Sequence, residues 1–153
     1  MHIRKLTTSD EDFKKVVDFL IENFVPEHKM GRLSAAIDLH LKKALNWVAL
    51  NIKEAAFVVE DNDGKIVGSI GLNRTSPWYS DAEYIADGWI YVLPEHRKSG
   101  VAGMLVDKAK EFAEEKELPL IIGIFSKEDA IAKAGIMNKL GLITVGGLFA
   151  AGV

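Results

Sequence analysis

Residues 92–106, with the sequence VLPEHRKSGVAGMLV, join a strand-like segment to a helix-like one, and they decide the fold that we expect. Pro94 breaks the apolar run that leads into the stretch. Two cations, Arg97 and Lys98, then precede Gly100, and apolar residues at helical spacing follow. A strand therefore passes into a helix here through a short basic connection.

The helix that begins near Gly100 is suited to binding a phosphate. The first turn of a helix presents unpaired backbone N–H groups and the positive end of the helix dipole. Gly100 removes a Cβ where a ligand must approach closely, and Ala102 is the smallest side chain that still favours a helix. We therefore predict a pyrophosphate site at this turn, although glycine and a few charges are common in any strand-to-helix connection.

Hydrophobic periodicity predicts the order β-α-α-β-β-β-α-β-α-β around this junction. A three-stranded meander followed by β-α-β favours a single α/β (α+β) domain over residues 1–153, with a mixed sheet and helices on both faces. The nearly all-apolar run PLIIGIF favours a strand that is buried on both faces. The predicted strands are 2–7, 55–60, 65–74, 83–92, 119–125 and 142–150, and the predicted helices are 10–24, 30–48, 99–116 and 127–140.

Composition and charge exclude several classes of function. A net charge of -3 argues against a nucleic-acid-binding protein that works through bulk charge. No apolar run approaches the roughly 20 residues that span a bilayer, so we expect no membrane partner. The absence of cysteine excludes disulfides, thiolate zinc sites and a cysteine nucleophile, and it favours a cytoplasmic location. The four histidines show no metal-ligand spacing, so no metal is predicted.

The pattern Val92-x-Pro94-x-x-Arg97-x-x-Gly100-x-Ala102-x-x-Leu105 resembles the acetyl-CoA signature of the GNAT superfamily of N-acetyltransferases. The order of elements and the sequence NKLGL at 138–142 resemble the same family. The resemblance implies acetyl-CoA as co-substrate and a sheet of six or seven strands. It implies that a pyrophosphate binds the backbone of Lys98, Ser99, Gly100, Val101, Ala102 and Gly103, with Arg97 at the rim. It also implies that the pantetheine arm pairs with the main chain of Ile90, Tyr91 and Val92, where strands 83–92 and 119–125 splay apart.

The implied reaction is direct transfer of an acetyl group to a primary amine of a small molecule or peptide, without a covalent enzyme intermediate. Members of the family often carry a carboxylate on the fourth strand, and regular alternation places Asp87 and Glu83 on one face with Trp89 and Tyr91. We predict Asp87 as base or proton relay and Glu83 as second choice, although an acid on a half-exposed strand is usually only solvated.

Two departures from the family pattern leave alternatives open. Met137 stands where many relatives carry a tyrosine acid, and a thioether donates no proton. Tyr84, Tyr91 or Ser126 could substitute, the thiolate could leave unaided, or the chain could be a catalytically weak CoA-binding or protein-interaction module. The chain also offers no obvious seventh strand, and an uncovered sheet edge would favour a homodimer.

Overall fold

The described part of the chain comprises residues 1–28, 40–125 and 129–151 of a computed structural model. In this part, five strands form one sheet and five α-helices surround it. A π-helical turn, Leu20–Phe24, joins the first two helices, and a 3-10 turn, Pro94–His96, precedes the fourth. The strands are β1 His2–Lys5, β2 Ala55–Glu60, β3 Ile66–Thr75, β4 Tyr84–Val92 and β5 Leu120–Ile121, and the helices are α1 Asp10–Phe19, α2 Val25–Glu27, α3 Leu41–Glu54, α4 Val101–Glu115 and α5 Ala130–Lys139.

The sheet is mixed and has the order β1-β2-β3-β4-β5. The first four strands form an antiparallel meander, and β5 runs parallel to β4. A parallel neighbour needs a crossover connection, which α4 provides between β4 and β5. The mixed α/β fold predicted from the sequence is therefore confirmed.

Helices cover both faces of the sheet. A Cβ built on Gly68 of β3 would lie 2.6 Å from Val101, so α4 packs closely against that face. Asn73 of β3 projects from the opposite face, where its Nδ2 donates to Oδ1 of Asn51 in α3 at 3.1 Å. The predicted apolar face of α4 is confirmed, because Val101 and Leu105 are fully buried.

An ionic network fastens α1 to the first two strands. Oγ of Ser9 accepts from the backbone N–H of Asp12 at 3.2 Å, which is the helix cap expected from the sequence. The carboxylate of Asp12 accepts from Arg4 at 2.9 Å, and Arg4 also donates to Glu60 of β2 at 2.8 Å. Hydrogen bonds from Arg4 lower the pKa of both Asp12 and Glu60.

The sheet has fewer strands than predicted. Residues 142–150, expected to form the last strand, pair with no strand of the described chain, and the side chains of Ile143 and Phe149 are 84% and 98% exposed. The strand expected at 119–125 is confined to Leu120–Ile121 and is not buried on both faces, since Ile121 is 42% exposed. A final strand needs an edge to pair with, and β5 offers one of only two residues.

Two helices differ from their predicted limits. The start expected at residue 30 lies outside the described residues; α3 begins after His40, whose Nδ1 accepts from the N–H of Lys43 at 3.2 Å. This helix continues six residues beyond Val48, because the polar Asn51 and the apolar Ile52 both face the core. The second of these helices, α5, ends near its predicted limit. Residues 127–128, at its expected start, are outside the described residues.

A bulge in β4 controls the direction of its side chains. Gly71 of β3 pairs with Trp89, and Leu72 pairs with Asp87, so Gly88 has no partner in β3. The extra residue shifts the alternation of the strand. Nε1 of Trp47 in α3 donates to the carbonyl oxygen of Gly88 at 3.2 Å. A Cβ on Gly88 would overlap the side chain of Asn51, so only glycine fits this position without movement.

Replacing Gly88 with alanine is expected to destabilise the protein by about 1–3 kcal/mol, the usual cost of overpacking a buried site. The added Cβ would force the buried Asn51 away from Asn73. Urea unfolding of Gly88→Ala and the wild type measures the difference.

Gly135→Ala is the matched control for this substitution. Gly135 lies inside α5, and nothing lies within 4 Å of a Cβ built there. This variant should gain about 0.5–1 kcal/mol from helix propensity. An unchanged unfolding midpoint in Gly88→Ala would contradict the packing account.

Candidate active site

Strands β4 and β5 pair over a short distance and then stop pairing. Their register joins Ile85 to Leu120 and Ala86 to Ile121, and the N–H of Ile85 donates to the carbonyl of Pro119 at 2.8 Å. One residue further along β4, Oδ1 of Asp87 accepts from the backbone N–H of Gly123 at 2.8 Å. A hydrogen bond to a side chain thus takes the place of the next main-chain hydrogen bond between the two strands. Beyond it, the edge of β4 faces no strand of the described chain.

The backbone of two residues faces this open edge. The N–H of Leu93 donates to the carbonyl of Val67 in β3 at 2.9 Å. In an antiparallel ladder, hydrogen-bonded pairs alternate with non-hydrogen-bonded pairs, so Tyr91 exchanges its backbone hydrogen bonds with Ser69. The backbone groups of Ile90 and Val92 therefore point away from β3, toward the open edge. The N–H groups of Ile90 and Val92 have no acceptor within residues 1–28, 40–125 and 129–151. They are therefore available to an extended ligand.

The start of α4 presents a second set of open donors. Gly100 adopts the left-handed conformation with φ of 84°, which favours glycine, and no side chain caps the helix. The N–H groups of Val101, Ala102 and Gly103 have no acceptor among the residues that the structure describes. Nothing lies within 4 Å of a Cβ built on Gly100. This turn therefore forms an open cluster of backbone donors at the end of the unpaired edge.

Arg97 is held at the surface by several contacts rather than extended over the helix start. Its guanidinium donates to both carboxylate oxygens of Glu27 in α2, each at 2.7 Å, and its Nε donates to the carbonyl of Val92 at 3.1 Å. The same guanidinium lies 5.5 Å from the ring centroid of Tyr91. Arg97 therefore ties the loop before α4 to α2, while Lys98 is exposed.

The side chain of Tyr91 lies in an aromatic cluster on the α1 face of the sheet. Its ring centroid is 5.8 Å from that of Phe19 and 6.0 Å from that of Phe24, and both pairs meet edge to face. Burial and a hydrogen bond with Glu27 raise the pKa of Tyr91 to about 12. The phenol is therefore protonated at neutral pH.

The bulge at Gly88 contradicts the expectation that Asp87 shares a face with Trp89 and Tyr91. Asp87 pairs with Leu72, whose face carries α4, whereas Trp89 packs over Gly71 on the opposite face and donates its Nε1 to Ser69 at 3.0 Å. Asp87 is half-buried at the point where β4 and β5 separate. Burial raises the pKa of its carboxyl, and the hydrogen bond from Gly123 opposes the rise.

Glu83 is not brought together with Asp87. It lies just before β4, is exposed, and approaches Arg74 at 3.9 Å. Four residues of extended chain separate the two acids by roughly 13 Å. Among the substitutes for a tyrosine acid, Tyr84 is half-buried at the start of β4, and Ser126 lies outside the described residues. Met137 is half-buried in α5.

Four residues of the site were missed in the sequence. Gly88 could have been found, because an isolated glycine inside a strand pattern suggests a bulge. Trp47 and Asn51 lie on a helix whose polar Asn51 gave no indication of burial. Glu27 belongs to no recognisable sequence motif, and its pairing with Arg97 depends on how α2 folds back over β4.

Comparison with protein families gives a match to the acetyltransferase (GNAT) family over residues 16–134. The chain belongs to this family. It is therefore an acyltransferase, as the signature around Gly100 predicted. None of the curated proteins compared with the GNAT chain matches it.

Solved structures share the fold of this GNAT chain over nearly its whole length. They include the aminoglycoside antibiotic 6'-N-acetyltransferase AAC(6')-IG from Acinetobacter haemolyticus, with 17% identity, a TM-score of 0.65, and coverage of 100% of this chain and 98% of that one. AAC(6')-Iy, solved in complex with a bisubstrate analogue of CoA and acetylneamine, has 14% identity, a TM-score of 0.67, and coverage of 99% and 97%. A predicted acetyltransferase from Clostridium acetobutylicum, solved with acetyl-CoA, has 16% identity, a TM-score of 0.70, and coverage of 98% and 94%.

None of the helices in the described ranges of this GNAT chain is long and apolar enough to cross a membrane.

The pH dependence of stability provides a test of the surroundings of Asp87. Because its folded pKa lies above the ordinary value of 3.8, ionised Asp87 costs stability, and the cost appears as the pH rises from about 3.8 through the raised pKa. Asp87→Asn, which keeps an acceptor for Gly123, should therefore have a higher Tm than the wild type at pH 7. That difference should shrink as the pH falls toward 4.

The exposed Asp81 supplies the control. Asp81→Asn removes one negative charge from the surface, so it separates the loss of a charge from the loss of a half-buried carboxylate. A Tm difference between Asp87→Asn and the wild type that is constant between pH 4 and pH 7 would contradict the buried-acid account.

Proposed function

We propose that this GNAT acyltransferase uses acetyl-CoA as acetyl donor and a primary amine as acceptor. The observation that carries the proposal is the pair of open donor sets, one at the start of α4 and one along β4. The amine nitrogen forms a bond to the acetyl carbonyl carbon, the carbon–sulfur bond breaks, the nitrogen loses a proton, and the thiolate takes one up. When bound, acetyl-CoA supplies an acetyl group activated as a thioester.

The residues at the start of α4 fit a pyrophosphate. The N–H groups of Val101, Ala102 and Gly103 lack acceptors in the described chain, and the space in front of Gly100 is open. Such a turn binds anionic phosphate through main-chain donors and the helix dipole. We assign Lys98 and Ser99 to the rim of this site, where Lys98 contributes charge. Because Arg97 is paired with Glu27, we assign it to positioning the loop.

The open edge of β4 fits an extended amide-containing chain. A pantetheine arm carries amides that can pair with a strand edge as an added strand does. The N–H groups of Ile90 and Val92 are the donors for this pairing, since the carbonyl of Val92 already accepts from Arg97. The backbone of Tyr91 pairs with Ser69 on the other side. The arm would then run from the start of α4 toward the point where Asp87 closes the gap between β4 and β5.

Asp87 is our choice for the group that accepts the proton of the amine, directly or through water. An alkylammonium has a pKa of about 10.4, so proton removal contributes to the rate. One oxygen of Asp87 bonds Gly123, and no side chain in the described ranges donates to the other. Glu83 and Tyr91 are weaker choices, because Glu83 is remote and the ring of Tyr91 packs against Phe19 and Phe24, where burial raises its pKa to about 12.

We also propose an acceptor class, a location and an oligomeric state for the protein. The fold neighbours named for aminoglycosides support a small-molecule amine as acceptor. A cytoplasmic location and the absence of nucleic-acid or membrane partners stay predictions from composition. A homodimer is proposed through the exposed apolar side chains of residues 142–151, and sedimentation of the purified chain tests it.

Acetyl-CoA at saturating concentration should raise the Tm of the protein by several degrees, because it binds only the folded state. Gly100→Glu should abolish this rise, since a carboxylate at the helix start would occupy the position of the phosphate and repel it. Differential scanning fluorimetry with and without acetyl-CoA measures the shift.

Gly64→Glu is the matched control for Gly100→Glu. Gly64 has φ of 77° and open space around its Cβ position, but it lies in the turn between β2 and β3. This variant should suffer a similar loss of stability and keep the full response to acetyl-CoA. No Tm shift in the wild type would refute the proposed donor; a shift without thiol release for any amine would favour the CoA-binding alternative.

A further inference from the structure

An apolar pocket adjoins the bulge of β4 on the α1 face of the sheet, and we call it the Gly88 pocket. It lies between the helical segment of residues 17–25 and α3, and it encloses about 120 Å³. Its floor is formed by Gly88 and Trp89 of β4. The described residues that line it are Val17, Leu20, Ile21, Phe24, Val25, Ala44, Trp47, Val48, Gly88 and Trp89.

The position of the pocket connects it to the proposed donor site. The open donors of α4 lie beyond the end of β4 at Val92, and the hydrogen bond from Gly123 to the side chain of Asp87 closes the gap at the other end. A donor that enters at α4 and follows β4 therefore has its reactive end near residue 88. Gly88 and Trp89 line the Gly88 pocket, so the pocket adjoins that end of the path, where an acceptor must present its nitrogen.

The lining of the pocket is unsuited to a polycation. None of its ten described residues carries an ionisable side chain. Trp47 also borders a shallow hollow on the outer surface of α3, which is basic through Lys42 and Lys43. Burying an unpaired ammonium group among apolar side chains is costly, so several positive charges on one acceptor would be opposed here.

The described lining of the Gly88 pocket contains none of the acids of the candidate site. Glu83 approaches Arg74 at 3.9 Å. Asp87 lies outside this lining, at the point where β4 and β5 separate. Asp18 and Glu22, which neighbour the lining residues Val17 and Ile21 in sequence, are exposed and lie outside the lining. Glu27, two residues after Val25, is held by Arg97 at 2.7 Å. The pocket therefore has apolar walls with no acidic group among its described residues.

We propose that the acceptor is a primary monoamine whose substituent is a branched alkyl group or a single aromatic ring, bound in the Gly88 pocket. This inference rests on the proposed acetyl transfer and specifies its acceptor. An apolar cavity of roughly 150 Å³ in another protein holds benzene, so about 120 Å³ in a partly open pocket suits a group of this size. The nitrogen gains the acetyl group and loses one proton, and the thiolate leaves and is protonated.

A panel of four amines tests the proposal with the full-length protein. The probes are 3-methylbutylamine, 2-phenylethylamine, spermidine and kanamycin, each with acetyl-CoA, and the readouts are thiol release and product mass. The monoamines should give a kcat/KM at least on the order of tenfold above those of the two polycations, as one or two methylene groups in an apolar pocket can provide.

Two substitutions in the lining test whether the acceptor binds in the Gly88 pocket. Ala44→Leu fills the pocket and should raise the KM for 3-methylbutylamine by on the order of tenfold while leaving the Kd for acetyl-CoA unchanged. Ala49→Leu, at an exposed position of the same helix and outside the lining, should change neither value. Ile21→Ala enlarges the pocket and should shift the ratio of kcat/KM values toward 2-phenylethylamine.

The possible results lead to distinct conclusions. Preference for spermidine or kanamycin overturns the proposed acceptor class and leaves acetyl transfer intact. Equal KM values for 3-methylbutylamine in Ala44→Leu and Ala49→Leu, with both variants folded by Tm, overturn the assignment to this pocket. An unchanged ratio of the kcat/KM values for 2-phenylethylamine and 3-methylbutylamine in Ile21→Ala also overturns the assignment to this pocket. Absence of turnover with every amine overturns the proposed transfer together with this inference.

Discussion

Strand β4 contains one residue more than β3 can pair with, and the buried side chain of Asn51 leaves room there only for glycine. The rest of the site depends on this constraint. After Gly88 the alternation of β4 is shifted, so Trp89 and Tyr91 face α1 and α3 while Asp87 faces α4. The same bulge turns the carbonyl of Gly88 toward Trp47, which makes it part of the wall of the apolar pocket.

The sheet opens because a side chain takes the place of the main chain. Asp87 accepts the N–H of Gly123 where the parallel ladder would otherwise continue, and the edge at Ile90 and Val92 faces no strand of the described chain. An unpaired strand edge is normally a hazard for aggregation. Here the edge leads directly to the uncapped start of α4, so both sets of free donors point to one elongated, anionic ligand.

The charge of the site is arranged differently from what the motif alone suggests. The charge of Arg97 is balanced by Glu27, and its guanidinium lies 5.5 Å from the ring centroid of Tyr91. Main-chain donors and the exposed Lys98 are therefore the groups left at the helix start. The Glu27–Arg97 pair instead joins the loop before α4 to α2, which adjoins the wall of the Gly88 pocket. Donor-side and acceptor-side elements are thereby connected through one partly exposed ion pair.

The sequence predicted the mixed fold and the turn at Gly100, because these depend on local periodicity and on backbone conformation. It could not predict the face on which Asp87 lies, because alternation was counted through Gly88 as though the strand were regular. Residues 142–150 have the composition of a strand, but strand formation depends on a distant edge that β5 does not provide. The burial of Asn51 depends on its pairing with Asn73 across 22 residues, which no local pattern reveals.

Amide hydrogen exchange at β4 tests the central claim, which is that the open edge of this strand pairs with the acetyl donor. Exchange rates of Ile90, Tyr91 and Val92 would be measured by NMR with and without saturating acetyl-CoA. The account predicts that the amides of Ile90 and Val92 become protected by at least on the order of tenfold relative to Tyr91, whose N–H is already bonded within the sheet. Equal exchange of Ile90 and Val92 in the free and saturated protein would contradict it.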